Sequence, residues 1–177
     1  MEIHRFEKRW FVISLVLIIA FISTIVYGAA GVGVEMIDDD GGQIDPSNVR
    51  NAQGFSDPGV HSAGDGEYDV YVIAYQFAFE PGSNEPIRVP ADTRITFHVT
   101  SSDTVHGFSV VGTNLNTMVI PGQVSEFTTV FDEAGTYGIV CHEYCGAGHH
   151  TMAGTIEVVP ADEFDGGSNA TDTEGSN

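Results

Sequence analysis

The stretch Tyr68-Asp69-Val70-Tyr71-Val72-Ile73-Ala74-Tyr75-Gln76-Phe77-Ala78-Phe79 puts Tyr71, Ile73, Tyr75, Phe77 and Phe79 at alternate positions. A period of two is that of a strand with one buried face, so the spacing predicts a strand over 68–79 with those five side chains inward. Arg94–Thr100 repeats the pattern, setting Ile95, Phe97 and Val99 against polar neighbours. Val105–Val111, Val124–Phe131, Thr136–Val140 and Gly154–Val159 are further β-rich runs. Glu80-Pro81-Gly82, Val89-Pro90, Pro121-Gly122 and Ala134-Gly135 separate them as turn signals. Short strands at this spacing imply an all-β sandwich or barrel of Greek-key type. No stretch among them joins helical caps to a helical period. Residues 67–160 are the folded domain, and about 95 residues bury an adequate core without disulfides.

Upstream, Trp10 to Val34 contains no charged side chain. About 20 apolar residues cross a bilayer as a helix, so residues 1–34 read as a cytoplasmic flank and a single transmembrane anchor. The rival is a cleaved signal peptide, with Gly28-Ala29-Ala30-Gly31 as its cleavage site. Such peptides have an apolar region of about 7–15 residues, shorter than this one, which favours a retained anchor. Arg5, Lys8 and Arg9 precede the run and only Arg50 follows it closely. Cationic flanks stay cytoplasmic, so the N-terminus is expected inside the cell membrane and the domain on its external face. Residues 35–66 are rich in Gly, Asp, Ser, Asn and Pro and lack periodicity, as a polar linker does. Residues 161–177 are acidic and Gly/Ser/Thr-rich, as a disordered tail is. Asn169-Ala170-Thr171 matches a glycosylation acceptor, a short and unspecific pattern.

The 177 residues carry a formal net charge of −19. Residues 35–177 hold 23 acidic side chains (25 less Glu2 and Glu7) against Arg50, Arg88 and Arg94. One reading is a docking surface for a cationic partner. The acids are spread over domain and tail alike, which favours the diffuse acidity of a halophile, and a haloarchaeal source is expected. At about 1 M salt the Debye length is roughly 3 Å, so a redox partner there docks through short-range contacts. No nucleic-acid partner is expected.

The chemistry is concentrated in Cys141-His142-Glu143-Tyr144-Cys145-Gly146-Ala147-Gly148-His149-His150-Thr151-Met152, which contains both cysteines of the chain. His106 stands upstream. Thiolate and thioether donors select copper, and imidazole is compatible with it. Two cysteines outside the cell form a disulfide by default. A bridge closing so short a loop stabilises little, and it leaves His149 and Met152 unexplained. Zinc accepts Cys and His but has little use for a thioether. Met152 alone reads as a core residue; beside two thiols and an imidazole it reads as a donor. A mononuclear blue-copper site needs two His, one Cys and a weak axial Met, which His106, Cys145, His149 and Met152 supply. Cys141 is surplus to that set. A second thiolate four residues before the first allows both sulfurs to bridge two copper ions, each with one His. Met152 and a main-chain carbonyl of the loop then serve as weak outer ligands. An electron shared over two metals changes each by only part of a charge, so the surroundings reorganise less. That suits a rapid relay better than bond-making chemistry.

His106-Gly-Phe followed by Cys141-x-Glu143-x-Cys145-x-x-x-His149-x-x-Met152 resembles the dinuclear copper A motif of cytochrome c oxidase subunit II. The similarity runs over roughly residues 4–160, and a six-point motif is highly specific. It implies a cupredoxin-like Greek-key sandwich behind one N-terminal transmembrane helix. Cys141 and Cys145 would bridge both copper ions, His106 and Met152 would complete one, and His149 with the main-chain oxygen of Glu143 the other. Electrons would arrive from a soluble donor, a cytochrome c or a small blue-copper protein, and leave for haem in subunit I, where oxygen is reduced. The chain would then be a relay subunit of an oxidase with no catalytic residue of its own. In A-type subunits the carboxylate at the position of Glu143 helps hold magnesium at the subunit I boundary, as a hard carboxylate can.

The single membrane helix and the run Phe6-Glu7-Lys8-Arg9-Trp10 are similar to the B-type (ba-type) branch. There the glutamate matching Glu7 lies at the inner mouth of a proton path into subunit I; the plain reading of Glu7 is an interfacial charge flanking a helix. A-type subunits carry a tryptophan-rich strand where the donor docks. Here Trp10 is the only tryptophan, and Tyr75, Phe77 and Phe79 fill that stretch. His142 and His150 read as loop or interface residues, His4 as a cytoplasmic flank, and His61 and His98 have no assigned function. The alternative reading is a membrane-tethered mononuclear blue-copper carrier, which a Cys141→Ser change would leave loaded. A nitrous oxide reductase fragment shares the motif, but its large catalytic domain has no counterpart here. A quinol oxidase subunit has lost the ligands that this chain keeps.

Overall fold

The computed structural model describes residues 4–31 and 41–166, and the chain divides into two compact units at Val34/Glu35. The first unit holds one helix, α1 (Arg5–Gly31). Its segment Arg5–Gly28 has a mean hydropathy of 2.6 and none of it is buried against protein. Trp10, Phe11, Leu17 and Phe21 are all more than half exposed. A helix apolar on every side satisfies its own backbone and is at home in lipid, and 27 residues span about 40 Å. Glu7 lies in the first turn, where its carboxylate accepts the His4 backbone N–H at 2.9 Å.

Among the described residues, the second unit carries ten strands. In chain order they are β1 (Gly59–Gly64), β2 (Glu67–Tyr75), β3 (Ala78–Glu80), β4 (Ile87–Pro90), β5 (Arg94–Ser101), β6 (His106–Val110), β7 (Asn116–Val119), β8 (Ser125–Val130), β9 (Gly135–Val140) and β10 (Ala153–Val159). One sheet has the order β1-β2-β5-β8, with β3 paired to the end of β2; the other has the order β4-β10-β9-β6-β7. The pairs β2–β5 and β4–β10 are parallel and the rest antiparallel. Val70, Val72, Ala74, Ile95, Phe97, Val99 and Phe127 from the first sheet meet Ile87, Val89, Phe108, Val110, Ile139, Ile156 and Val158 from the second. At the centre Phe97 stacks on Phe127 at 5.1 Å, and Phe79 meets Phe108 edge-on at 5.5 Å. This is an all-β sandwich with one N-terminal apolar helix.

The strand expected over 68–79 is two strands. β2 ends at Tyr75, the chain turns at Gln76-Phe77, and β3 returns antiparallel with Ala74 opposite Phe79. The inward face also differs, because Val70, Val72 and Ala74 enter the main core. Tyr71, Ile73 and Tyr75 face a second cluster with Val49, Phe55 and Val124. Both faces of β2 are covered, and a strand buried on two sides with a parallel neighbour reads as a nearly continuous apolar run.

The cover over that second face comes from residues expected to be linker. Within 41–66 a 3-10 turn runs from Pro46 to Asn51, started by Asp45 accepting the Ser47 N–H at 2.9 Å. β1 follows and pairs with β2, Gly59 opposite Tyr71. Burying Val49 and Phe55 removes them from water, which outweighs the polar composition around them. The start of the expected tail is also ordered against the domain. Phe164 packs edge-on to Tyr68 at 5.0 Å, and Asp165 pairs with Arg88 at 2.9 Å. Asn169 lies outside the described residues. Pro90 is the last residue of β4, so the turn expected at Val89-Pro90 falls just after it, where Asp92 adopts φ +54°.

Candidate metal centre

His106 opens β6, and the loop 141–152 joins β9 to β10 at the same end of the second sheet. Main-chain bonds shape that loop: Cys141 N–H donates to Met152 O at 3.2 Å and His149 N–H to Gly146 O at 3.1 Å. A short 3-10 turn then runs over His149–Thr151. Two glycines let the Gln76-Phe77 turn close onto it. A β-carbon on Gly148 would lie 2.4 Å from Cδ2 of Phe77, and one on Gly146 (φ +135°) would lie 2.8 Å from the Gln76 amide nitrogen.

Cys141, Cys145 and Met152 are at most 7% exposed and belong to the hydrophobic core, while His106 is fully buried. The Cys141 and Cys145 sulfurs stand 3.8 Å apart. That exceeds the ~2.05 Å of a disulfide bond, and both thiols are free, so the disulfide set aside in the sequence reading is not formed. His106 Nδ1 lies 3.9 Å from Cys141 Sγ. On the other side His149 Nδ1 lies 3.8 Å, and Met152 Sδ 3.7 Å, from Cys145 Sγ. The main-chain oxygen of Glu143 is 3.2 Å from Cys141 Sγ. Gly107 N–H points at the same sulfur from 3.4 Å. All six residues singled out in the motif therefore meet at one place; the ligand atoms of His106, Cys141 and Cys145 lie within 4.8 Å of one another. Glu7 lies on α1, in the first unit.

The electrostatics disfavour a bare thiolate at this place. Burial, and then hydrogen bonding and charge from Cys141, push the Cys145 thiol up from 9.0 to about 11. Soft sulfur and imidazole donors, buried except for the half-buried His149, form the donor set that copper takes. The carboxylate of Glu143 points elsewhere, 41% exposed, with His142 Nε2 at 4.0 Å.

Two residues not singled out in the sequence complete the surroundings. Asp103 Oδ1 accepts from His106 Nε2 at 2.8 Å, and Oδ2 accepts the Gln76 N–H at 2.7 Å. Burial alone would raise the Asp103 carboxyl; hydrogen bonds from His106, Gln76 and Thr104 hold it below the usual carboxylate range. The Gln76 side-chain amide donates to the Cys145 carbonyl. The available signal was an aspartate three residues before a candidate histidine ligand, since metal-bound imidazoles commonly give their second N–H to a carboxylate. His142 closes over Gly107, where a β-carbon would fall 2.3 Å from its Nδ1. His150 is exposed. His61 and His98 gather around Tyr71 and take no part in the cluster.

Known proteins resemble this chain in sequence and fold. The family model described as "Cytochrome C oxidase subunit II, periplasmic domain" matches residues 67–159. A cytochrome c oxidase subunit 2 of Thermus thermophilus is 40% identical over 161 residues, covering 88% of this chain and 93% of that protein. A chain in the cryo-EM structure of a heme-copper terminal oxidase dimer superposes with a TM-score of 0.68 at 34% identity, over 88% of this chain and 100% of that one. The periplasmic domain of cytochrome oxidase subunit II from Bradyrhizobium japonicum has the same fold, with a TM-score of 0.50 at 22% identity over 54% of this chain and 86% of its own.

Proposed function

Because the chain belongs to the cytochrome c oxidase subunit II family, we propose that it accepts electrons from a soluble donor at a dinuclear copper centre and passes them to the haem of subunit I. The observation that carries this reading is the pair of buried sulfurs 3.8 Å apart with one imidazole nitrogen within 4 Å of each. Cys141 and Cys145 would bridge two copper ions, His106 and Met152 would hold one, and His149 and the Glu143 main-chain oxygen the other. When bound, the metal pair supplies a one-electron couple.

The residues supply the rest. The core around Phe79 and Phe108 keeps water from the sulfurs, and the loop's own hydrogen bonds fix the donors before metal arrives, so little rearrangement accompanies a change of charge. Fixed donors and a dry pocket favour repeated electron transfer over substrate binding. The Glu143 carboxylate, turned away from the sulfurs, is offered to a hard cation such as magnesium where subunit I meets the domain. We place the N-terminus of α1 in the cytoplasm on the strength of Arg5, Lys8 and Arg9, with the domain outside. Glu7 then sits at the inner membrane surface, in the position to feed a proton path in subunit I. Two donors fit, a cytochrome c or a small blue-copper protein.

The test is an electron paramagnetic resonance spectrum of the full-length chain in detergent, loaded with copper, with copper per chain counted on the same sample. The expected result is two coppers per chain and hyperfine structure from one electron shared over two equivalent nuclei. One copper with a single-nucleus pattern would replace the relay centre with a mononuclear blue-copper site.

A further inference from the structure

We propose that Asp103 is the positioning residue of the electron-transfer site: it holds the His106 imidazole with Nε2–H engaged and Nδ1 bare toward Cys141, and it ties that ring to the Gln76-Phe77 turn. This rests on reading His106 as a copper ligand. His106 is fully buried, and its side chain has two directed contacts, Asp103 Oδ1 at 2.8 Å and Cys141 Sγ at 3.9 Å, one on each ring nitrogen. A carboxylate accepts only, so it selects the tautomer protonated at Nε2 and leaves the Nδ1 lone pair facing the sulfur.

Asp103 is itself over-determined. Oδ1 also takes the Thr104 N–H at 2.6 Å and the Ser101 hydroxyl at 3.3 Å, and Oδ2 takes the Gln76 N–H at 2.7 Å. A carboxylate held at both oxygens cannot swing away from the ring. Gln76 closes the circuit, because its side-chain amide reaches the Cys145 carbonyl while its main chain reaches Asp103. One exposed residue at the tip of the β2–β3 hairpin thus links the carboxylate behind His106 to the main chain of Cys145.

The consequence is electronic as well as geometric. An anion hydrogen-bonded behind an imidazole makes the front nitrogen a stronger donor, and a low-dielectric surrounding strengthens the effect. A stronger donor stabilises the more highly charged metal state. The Asp103 charge therefore holds the reduction potential of the site down, and its geometry holds the copper in. A residue that only capped the 101–104 turn would do neither.

The two roles separate in Asp103→Asn and Asp103→Ala. Asn is nearly isosteric and keeps an acceptor for Nε2–H, but it loses the charge. The experiment uses the full-length chain in detergent with 15N-labelled histidine. In the copper-free protein the His106 ring nitrogens are expected to report a proton on Nε2, and D103A to lose that preference. On loading, competition with a copper chelator should show D103A binding about 10- to 100-fold more weakly. D103N should keep the wild-type copper count and show a higher reduction potential. A copper-free wild type protonated on Nδ1 overturns the proposal. So do variants whose tautomer, affinity and potential all match wild type. The tautomer is read without copper, so it holds or fails independently of the metal count, and that count alone judges the dinuclear reading.

Discussion

Glu143 presents its main chain and its side chain to different surroundings. Its carbonyl oxygen is 3.2 Å from Cys141 Sγ, while its carboxylate is 41% exposed beside His142. Glu143→Gln removes the charge and spares the carbonyl, so copper stoichiometry is expected to stay at the wild-type value while magnesium retained by the assembled oxidase falls. Metal analysis of the purified complex decides it, and loss of copper together with magnesium would sink the division of labour. The Cys145 thiol sets a second expectation. Its folded value of about 11 lies above the ordinary 9.0, so the fold favours the neutral thiol. In the copper-free protein that contribution is complete below about pH 9 and is lost as pH rises through about 11, and denaturant midpoints should fall across that window. Copper needs the thiolate, so each proton released on binding makes affinity rise about tenfold per pH unit at neutral pH. Chelator competition at pH 6, 7 and 8 measures that slope, and a flat profile would remove thiolate ligation.

At the scale of elements, the β2–β3 hairpin and the donor loop fit together through missing side chains. Gly148 has no β-carbon because the Phe77 ring occupies its place, 2.4 Å from where that atom would be. Gly148→Ala must push the ring aside, an overpacking change costing about 1–3 kcal/mol. Thermal unfolding of the copper-free protein should fall accordingly, and Phe77→Ala in the same chain should recover part of the loss. A double variant no better than G148A alone would show that the ring is not the obstacle. The same hairpin marks what the sequence withheld. Alternation from Tyr71 to Phe79 was visible, yet it continued through a reversal of direction at Gln76-Phe77. It also named the odd face of β2 as the core face, because nothing local shows that Val49 and Phe55 fold back to cover it. The donor set was legible because its spacing is short and its residue types are chemically particular. Gln76 was not, because what it does depends on contacts across 27 and 69 positions of chain, and Asp103 left only the faint signal of an aspartate three residues before a histidine.

Over the whole molecule, charge is the property that packing does not explain. The three arginines beyond the anchor are each engaged: Arg50 with Glu80, Arg88 with Glu157 and Asp165, Arg94 with Glu67. Even His98 lies between two carboxylates, Asp69 and Glu126, at 3.3 Å each. No arginine beyond the anchor is left over for the other acids of the domain, and a compact state gathers like charges that the unfolded chain spreads apart. Screening relieves this: the Debye length falls from about 10 Å at 0.1 M salt to roughly 3 Å at 1 M. We accordingly expect the copper-free chain to gain about 1 kcal/mol or more between 0.1 and 1 M KCl, a rise of roughly 4 °C in melting temperature. Sulfate would stabilise almost any fold by exclusion from its surface, so the comparison belongs in chloride. A melting temperature that stays level or drops over this range would mean that the acids are locally compensated after all. The acidity would then be free to serve as a docking field for a cationic electron donor, and the rate of electron transfer, rather than stability, would be the quantity that falls with salt.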